Sequence, residues 1–339
     1  MSSIPPRSTV LVTGVTGYIG SHVADQLLEA GFRVRGTVRN VSKAKGLTKL
    51  WEEKYGEGRF ETIVVQDITE PGALDEAVKG VSGIAHVASN VTFDSDPNIV
   101  INDVLRALYS ILDAASKSST VKSFVYTSSA SALAPAVYSV PRKLDASSFN
   151  EEAVKKAWAP PPYTTDRAFD VYAASKTQGD QAVLAYSKEK KPHFVITSVV
   201  IGLNFGKVLD PFIPASSGDF VRQLFNGQLE LLKSIEYQWF VDVQDSARLH
   251  VAALTNPDVK NERIISYAHH FTWNDVLKHL RQIRPDHDWV DDFTDNSLVD
   301  LSEIDNAGGT ALLKAMGRSG WTPLEESLRL NMDSLNPTL

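Results

Sequence analysis

Short apolar runs alternate with helical patterns through the first 200 residues, and this alternation constrains the fold more than any other feature of the sequence. Buried strands are predicted at residues 9–13, 32–38, 62–66, 83–88, 123–127 and 194–200, and helices at about 19–28, 74–78, 104–116 and 172–190. Strands that alternate with helices form a parallel sheet with right-handed crossovers. The sequence therefore predicts an α/β fold with a doubly wound parallel sheet.

Proline positions and a change of pattern predict the domain organisation. Residues 133–165 contain prolines at 135, 141 and 160–162, which predicts a long irregular insertion that forms a wall of the site. Beyond residue 200 the pattern is mixed and broken by glycine and proline. We predict a sheet domain of residues 1–200, to which 238–268 return, and a smaller C-terminal lobe of 201–237 and 269–339.

Composition excludes several classes of protein. The 339 residues include 41 acidic and 34 basic side chains, so the formal net charge is −7, which disfavours nucleic acid as a partner. The absence of cysteine excludes disulfides, thiolate metal sites and a cysteine nucleophile, and the eight histidines show no metal-ligand spacing. No segment approaches the roughly 18 apolar residues of a membrane span, and residues 1–9 lack a signal-peptide core. We predict a cytoplasmic protein with no membrane partner and no metal.

Three glycines stand between the first predicted strand and the first predicted helix, in the order Gly14-Val-Thr-Gly17-Tyr-Ile-Gly20. In a dinucleotide-binding turn the first glycine permits the tight turn, the second lets the backbone approach the pyrophosphate, and the third lets the helix pack on the strand. The helix N-terminus then offers free N–H groups to the phosphates. A flexible turn without a ligand is the alternative, but the placement between strand and helix favours a dinucleotide.

The segment around the end of the second strand distinguishes NAD from NADP. Between Ala30 and Trp51 there are six cations and no acid, whereas NAD binders usually place an acid here for the ribose 2′-hydroxyl. We predict that Arg39 and Lys43 bind a 2′-phosphate, so that the cofactor is NADPH/NADP. Lys45 and Lys49 fit a solvated helix face. Asp67 and Ile68, after the third strand, lie where adenine could rest, although Asp67 fits a turn equally well.

A tyrosine and a lysine four residues apart, Tyr172 and Lys176, lie on one face of a predicted helix. A nearby ammonium lowers the pKa of a phenol, which makes it a usable proton donor. The pair Tyr186 and Lys190 has the same spacing but lies about 21 Å further along the helix, away from the ligand crevice. We interpret that second pair as a solvated helix turn.

The fifth strand ends in Thr127-Ser128-Ser129, where a hydroxyl can bond a substrate carbonyl or cap the next segment. The glycine turn, this Thr-Ser-Ser run and Tyr172-x-x-x-Lys176 together resemble the extended short-chain dehydrogenase/reductase family. Residues 34–39, 86–89 and 171–176 resemble its dihydroflavonol reductase-like branch, and yeast and fungal NADPH-dependent aldehyde or carbonyl reductases in particular. The resemblance runs from about Thr9 to Leu330. It implies a Rossmann-type fold with a C-terminal substrate lobe, and reduction of ketones or aldehydes to alcohols.

The resemblance also implies a set of functional residues. Tyr172 donates the proton, Lys176 lowers the pKa of Tyr172 and bonds the nicotinamide ribose, and Ser129 polarises the carbonyl. The implied cofactor contacts are Gly14, Thr16, Gly17, Tyr18, Ile19, Arg39, Lys43, Asp67, Ile68, Ala88, Tyr172, Lys176, Val200 and Ile201. Ile201 departs from the family, because relatives usually carry a proline there. Asp245 and His250 resemble a motif that we interpret as structural.

Aromatic residues predict a hydrophobic substrate, although any one of them could belong to the core. The predicted substrate contacts are Phe93, Ser129, Trp158, Tyr172, Gln238 and Trp239, and Phe212, Tyr237 and Phe240 fall in the same segments. A sugar-nucleotide epimerase or dehydratase shares these motifs, but no carboxylate follows the Thr-Ser-Ser run until Asp145. A non-catalytic NADP-binding redox sensor is a third alternative, which the retained Tyr172 and Lys176 disfavour. The protein is expected to be a monomer or a homodimer.

Overall fold

A parallel sheet of seven strands forms the centre of the part of the chain that the structure describes. The structure is a computed structural model, and it describes residues 4–135, 137, 139–212, 215–235, 238–294 and 300–335. The strands are β1 (Thr9–Thr13), β2 (Arg33–Val38), β3 (Phe60–Val64), β4 (Gly83–His86), β5 (Ser123–Ser129), β6 (Arg142–Leu144), β7 (Val195–Ile201), β8 (Leu203–Phe205), β9 (Gln238–Asp242), β10 (Arg263–Ser266), β11 (His269–Phe271) and β12 (Ser302–Ile304).

Helices cover both faces of this sheet. They are α1 (Tyr18–Glu29), α2 (Lys45–Tyr55), α3 (Pro97–Lys117), α4 (Glu151–Ala157), α5 (Ala168–Lys190), α6 (Phe220–Phe225), α7 (Glu230–Ser234), α8 (Val243–Thr255), α9 (Trp273–Ile283), α10 (Ala307–Ala315) and α11 (Leu324–Ser334). One apolar core lies between the sheet and α1, α2 and α8, and a second lies between the sheet and α3 and α5. Burial on both faces explains why the central strands are continuous apolar runs.

The order of the strands places a ligand crevice. Across the sheet the order is β10-β7-β5-β4-β1-β2-β3, and every neighbouring pair is parallel. The chain therefore moves outward in one direction from β1 through β2 to β3, and in the other direction from β4 onward. In open α/β sheets ligands bind at such a switch point, beyond the carboxyl ends of the strands. The predicted doubly wound fold is confirmed, and its crevice lies beyond β1 and β4.

The smaller lobe contains a second sheet, in the order β11-β9-β8. Its core includes Phe205, Phe240, Phe271 and Trp273, which pack against α9 and α11. The observed boundaries differ from the predicted ones at two places. Strand β9 belongs to the lobe, so the return to the main sheet begins with α8 rather than at 238. Helix α10 packs through Leu313 on the core that covers the main sheet, although 269–339 was assigned to the lobe.

The predicted irregular insertion contains regular structure. Residues 133–165 include β6 and α4, and β6 pairs in parallel with β12. The guanidinium of Arg142 donates to the Ser302 hydroxyl and to the main-chain oxygen of Pro135, at 3.0 Å in each case. The insertion is therefore joined to a strand that lies near the C-terminal end of the described chain.

Two local predictions are wrong. The predicted helix at 74–78 is a series of turns, between Gly72 and Gly80, which both have positive φ. Its apolar residues are buried all the same, so turns satisfied the spacing that indicated a helix. Tyr186 is not on a solvated turn: it is 7% exposed, it shares a hydrogen bond of 2.8 Å with the Ser116 hydroxyl, and it packs in the core.

Candidate active site

The carboxyl ends of four neighbouring strands bring the predicted site residues to one edge of the sheet. Thr13 of β1 pairs with His86 of β4, His86 pairs with Tyr126 of β5, and Tyr126 pairs with Ser198 of β7. The glycine turn, the residues around Ala88, the Thr-Ser-Ser run and the end of β7 follow these positions. Because adjacent strands lie about 4.8 Å apart, the glycine turn and Thr-Ser-Ser are separated by roughly 10 Å across the sheet.

The glycine turn has the geometry of a phosphate cradle. A Cβ atom on Gly14, whose φ is +68°, would lie 3.1 Å from the backbone of Ala88, and one on Gly20 would lie 2.1 Å from the Gly14 oxygen. On Gly17 the nearest atom would be only the Gly14 oxygen, at 3.3 Å, so its outer side is open. Helix α1 begins at Tyr18 with no side-chain cap and no acid in its first turn. These features fit the pyrophosphate of a bound dinucleotide.

The other residues predicted around this turn have different surroundings. Thr16 and Ile19 are partly exposed, whereas Tyr18 is buried and its hydroxyl donates to the main-chain oxygen of Gly206 over 2.9 Å. The side chain of Tyr18 is therefore used inside the protein, and only its backbone N–H remains for a phosphate. The N–H of Ala88 donates to the Thr13 hydroxyl over 3.1 Å, which joins the ends of β4 and β1.

The basic window is divided rather than forming one patch. Arg33 begins β2, at the end opposite the crevice, and Arg35 forms an ion pair of 2.6 Å with Glu61. Lys49 lies 3.9 Å from Glu53 on α2. Arg33 and Arg35 are therefore not available to a ligand phosphate at the crevice, and Lys49 lies on the exposed face of α2.

Arg39 and Lys43 remain at the carboxyl end of β2. Both are exposed, and within the described ranges neither forms an ion pair. Lys43 lies in a 3₁₀ turn, Val41–Ala44, which Asn40 caps by accepting a hydrogen bond from the Ser42 N–H. A short capped turn thus places Lys43 four residues after Arg39, and both side chains are exposed and could contact an anion.

Asp67 lies in a turn after β3, which ends at Val64 rather than at 66. One carboxylate oxygen of Asp67 accepts the N–H of Thr69 over 2.8 Å, and hydrogen bonds from Thr69 lower the pKa of this exposed carboxyl. Ile68 is partly buried against the core under α3. The turn interpretation of Asp67 is therefore seen in the structure, and its contact with adenine stays a prediction.

Helix α5 brings Tyr172 and Lys176 to the end of β5. Lys176 is 4% exposed, and its Nζ donates to the main-chain oxygen of Thr127 over 3.2 Å. Tyr172, one turn nearer the edge of the sheet, lies beside Ser129, whose side chain lowers the pKa of the Tyr172 phenol by hydrogen bonding. The structure thus brings together the three residues that were predicted to be catalytic.

The pKa values differ from the expectation that Lys176 lowers that of Tyr172. Burial raises the pKa of the Tyr172 phenol above its usual value, and the hydrogen bond with Ser129 is what opposes this rise. Burial also lowers the pKa of Lys176 to about 8, against an opposing effect of Asp180. A phenol with a raised pKa is protonated at neutral pH, which is the state that a proton donor needs.

Asp180 is a buried residue of this site that the sequence reasoning missed. It follows Lys176 by one helical turn, and its carboxylate accepts hydrogen bonds from Ser128 at 2.5 Å, from Ser198 and from Arg263 at 2.9 Å. The negative charge favours the charged form of Lys176. The signal was available, because residues 172, 176 and 180 continue one face of the helix.

Two aromatic rings lie close to the Tyr172 phenol. The ring centroid of Phe93 lies 4.9 Å from that of Tyr172, and the centroid of Phe169 lies 6.1 Å from it. Phe93 is 48% exposed and has a positive φ of 54°, and Phe169 is 52% exposed. Two exposed apolar rings therefore lie beside the predicted proton donor and form an open, hydrophobic entrance to it.

The other predicted substrate contacts are less uniform. Trp158 is 42% exposed and donates to Gln178, on a later turn of α5 than Tyr172. Trp239 is buried, donates to Asp300 over 2.8 Å and packs with Val200. Phe212 is exposed, Phe240 belongs to the lobe core, Gln238 lies in β9, and Tyr237 is outside the described residues.

The end of β7 lies beside the Thr-Ser-Ser run, with Val200 opposite Ser128 and Ile201 opposite Ser129. Ile201 is 7% exposed and continues the strand, and the next residue, Gly202, donates its N–H to the Ser266 oxygen over 3.0 Å. At the position where the resemblance implies a proline, this chain therefore has a buried residue of the sheet.

Asp245 and His250, which were predicted to be structural, are buried and bonded inside the protein. His250 donates from Nδ1 to the Ser246 oxygen over 2.7 Å and accepts a hydrogen bond from the Thr127 hydroxyl over 2.8 Å. Buried Asp245 forms an ion pair with Arg248.

Among the residues described, no group of three or more His, Asp or Glu is arranged to hold a metal ion. In the same ranges, no helix is both long and apolar enough to cross a membrane.

The glycine turn at the switch point and the Ser, Tyr and Lys side chains beside it define a dinucleotide-binding Rossmann-type protein. Residues 10–267 match the model of the NAD dependent epimerase/dehydratase family, and the chain belongs to this family. The family-level resemblance predicted from the motifs is thereby confirmed.

Relatives and solved structures match almost the whole chain. It is 39% identical over 329 residues to aldehyde reductase 2 of Sporidiobolus salmonicolor, covering 96% of this chain and 95% of the relative. It is 37% identical over 328 residues to the NAD-dependent epimerase/dehydratase terH of Aspergillus terreus, covering 96% of each. The crystal structure of Gre2 from Candida albicans in complex with NADPH matches with a TM-score of 0.80 at 24% identity, covering 98% of each chain.

Proposed function

We propose that the protein is an NADPH-dependent carbonyl reductase that converts hydrophobic ketones or aldehydes to alcohols. The observation that carries this proposal is the placement of Ser129 and Tyr172 next to each other and beside the buried Lys176, at the same sheet edge as the glycine turn. The relative from Sporidiobolus salmonicolor bears the name aldehyde reductase, and the chain aligns with nearly its whole length.

NADPH, when bound, supplies the hydride for the carbonyl carbon. The chain would hold it through the backbone of the glycine turn, from Gly14 to Ile19, and through Arg39 and Lys43 at the 2′-phosphate. Ala88, Ile68, Val200 and Ile201 are proposed as further contacts, with Lys176 at the nicotinamide ribose. The open side of Gly17 and the two exposed cations support this assignment.

The proton steps follow from the side chains of the site. Ser129 donates a hydrogen bond to the carbonyl oxygen, which stabilises the negative charge that develops there. Tyr172 gives its proton to the same oxygen. Thr127 holds the Lys176 ammonium in place, since its main-chain oxygen accepts from Nζ.

The surroundings of Tyr172 support a hydrophobic substrate. Phe93 and Phe169 offer apolar ring surface next to the phenol, where an aromatic or aliphatic group of the substrate can pack. Trp239 is a candidate for the opposite wall, because it packs with Val200 at the end of β7. Cytoplasmic location and a monomeric or homodimeric state are further predictions of the sequence.

Dehydration of a sugar nucleotide is the less favoured alternative. That reaction needs an additional acid and base near the Thr-Ser-Ser run. Asp145 is exposed and accepts hydrogen bonds from Ser147 within its own turn, and Asp180, which contacts Ser128 of the run, is buried and already engaged by Ser198 and Arg263. A non-catalytic sensor of NADP is disfavoured by the intact Ser129, Tyr172 and Lys176.

A panel of carbonyl compounds tests the proposal directly. Purified protein is mixed with NADPH and an aryl ketone, an aliphatic ketone or an aldehyde, and the loss of nicotinamide absorbance is followed together with alcohol formation. We expect turnover with NADPH for the more hydrophobic carbonyls. NADPH binding without turnover of any carbonyl would favour the sensor instead.

A further inference from the structure

Ser131 donates two hydrogen bonds to the hydroxyl oxygen of Ser129. It lies in the 3₁₀ turn Ala130–Ala132, which follows β5 directly. Its backbone N–H donates to Ser129 Oγ over 3.3 Å, and its hydroxyl donates to the same oxygen over 3.0 Å. One neighbouring residue therefore supplies both of the hydrogen bonds that the Ser129 oxygen accepts in the described part of the chain.

The chemistry of a hydroxyl group then fixes the role that remains for the Ser129 proton. A serine hydroxyl has one proton to donate and two lone pairs that accept. A backbone N–H can only donate, so it uses one lone pair of Ser129, and the Ser131 hydroxyl uses the other. The Ser129 proton is then left to donate, and the Tyr172 phenol, whose pKa the Ser129 side chain lowers, is the group beside it. Ser129 is thus a donor toward the position where the carbonyl oxygen and the phenol oxygen meet.

We propose that Ser131 is a positioning residue for carbonyl reduction: by occupying both lone pairs of Ser129, it holds that hydroxyl as a donor toward the reacting oxygen. This inference rests on the proposed reductase function. Without the Ser131 hydroxyl, Ser129 could accept a hydrogen bond from Tyr172, and the tyrosine proton would be held by Ser129 instead of being available to the substrate. Hydrogen bonds in a chain also strengthen one another, so Ser131 makes Ser129 a better donor.

The groups around Tyr172 determine how strongly the hydrogen bond from Ser129 changes the pKa of the phenol. Lys176 follows one turn later on α5, and Tyr126 of β5 is the titratable side chain facing it from the sheet. The loop before α3 contributes the ring of Phe93, and the first turn of α5 contributes the ring of Phe169 and the carboxyl of Asp170, whose pKa burial raises. In this setting the hydrogen bond from Ser129 opposes the rise of the Tyr172 pKa that burial causes.

The backbone, not the Ser131 side chain, holds the turn in place. The main-chain oxygen of Ser131 accepts from the Asn150 side chain over 2.8 Å, and the N–H of Leu133 donates to the Ala130 oxygen over 2.9 Å. Ser131→Ala retains these contacts and the N–H bond to Ser129. The variant therefore removes one hydroxyl donor while the turn keeps its framework.

The test compares Ser131→Ala with Ser131→Thr, which keeps a hydroxyl, and with Ser147→Ala, which loses an exposed hydroxyl in the insertion that follows this turn. We expect Ser131→Ala to lower kcat for ketone reduction roughly three- to tenfold, with KM for the ketone nearly unchanged. In the reverse direction, alcohol oxidation needs the phenolate, so its rising pH limb should move upward by roughly half to one unit. Ser131→Thr should restore both properties, and Ser147→Ala should match the parent protein.

A second measurement does not depend on turnover. Ring-labelled tyrosine followed by NMR, with Tyr172→Phe to assign the signal, reports the pKa of Tyr172 in the parent protein and in Ser131→Ala. An upward shift in Ser131→Ala, reversed in Ser131→Thr, supports the inference even if no carbonyl is reduced, in which case only the reductase proposal fails. An unchanged Tyr172 pKa, or equal defects in the alanine and threonine variants, would overturn the role of Ser131.

Discussion

The ammonium of Lys176 lies 3.2 Å from the main-chain oxygen of Thr127, so a buried cation fixes helix α5 to the end of strand β5. Tyr172, one turn earlier, is thereby held beside Ser129 at the carboxyl edge of the sheet. The second Tyr-Lys pair of the same helix has no such neighbour, because Tyr186 bonds Ser116 inside the core.

Replacement of Tyr172 by phenylalanine should separate the two tyrosines. We expect Tyr172→Phe to lower kcat for ketone reduction on the order of 100-fold or more, because the proton donor is lost. Tyr186→Phe is the matched control: it should cost about 1 kcal/mol of unfolding free energy through the lost bond to Ser116 and leave kcat unchanged. Steady-state kinetics and urea unfolding of both variants check this. Equal loss of activity in the two would contradict our assignment of the proton donor.

Replacement of Arg39 by alanine should affect NADPH more than NADH. The guanidinium has no acidic partner in the described part of the chain, so it is free to bind the 2′-phosphate, which NADH lacks. We expect KM for NADPH to rise roughly tenfold in Arg39→Ala, with KM for NADH nearly unchanged. Lys49→Ala, which removes an exposed cation of α2 that lies near Glu53, is the control. If both variants weaken NADPH equally, a diffuse basic surface is responsible instead.

Phe93 should matter for substrates with an apolar ring. Its contact with Tyr172 places ring surface at the entrance, so Phe93→Ala should raise KM for an aryl ketone several-fold, by roughly three- to tenfold. A small aliphatic ketone should be affected less. Val91→Ala, in the same loop and 58% exposed, provides the comparison. A Phe93→Ala enzyme with unchanged KM for every ketone would place the substrate elsewhere.

Three buried histidines should make the protein sensitive to acid. Burial lowers the pKa of His22 and of His250 from 6.5 to about 4, and that of His86 to about 3. Each folded pKa lies below the unfolded value, so unfolding takes up protons between the two, and stability is lost as pH falls from 6.5 toward 4. Each contributes up to about 1.4 kcal/mol per pH unit. Asp242, whose pKa is raised to about 6, opposes this trend by one proton.

Urea unfolding at several pH values measures the slope. His250→Asn should reduce the slope by about one proton, whereas replacement of the exposed His193 by glutamine should leave it unchanged. A slope that is the same in His250→Asn as in the parent protein would mean that His250 does not take up a proton on unfolding.

The elements that sequence predicted correctly are those with a local cause. Strand β1, the turn from Gly14 to Gly20 and the helix carrying Tyr172 each follow from apolar runs, turn chemistry or helical spacing of nearby residues. Residues 74–78 satisfied the same helical spacing with turns, because burying Leu74 and Val78 requires only that they face the core. Periodicity alone does not distinguish these cases.

The parts that sequence did not predict depend on distant partners. Glu61 neutralises Arg35 from a neighbouring strand, and Arg263 reaches Asp180 from 83 residues away. Neither partner can be recognised from one sequence, because the choice is made by the order of strands in the sheet. For the same reason six basic residues looked like one patch, although the fold leaves only part of them at the crevice.

The pairing of β6 with β12 can form only late in synthesis of the chain. Arg142 and Ser302, which meet there, are 160 residues apart in the chain. As the chain grows from its N-terminus, the main sheet has all its strands once residue 266 is present, while β6 still lacks a neighbour. Strand β6 is therefore paired by the last strand of the described chain, and a chain stopped before residue 302 would carry Ser129, Tyr172 and Lys176 while β6 stays unpaired.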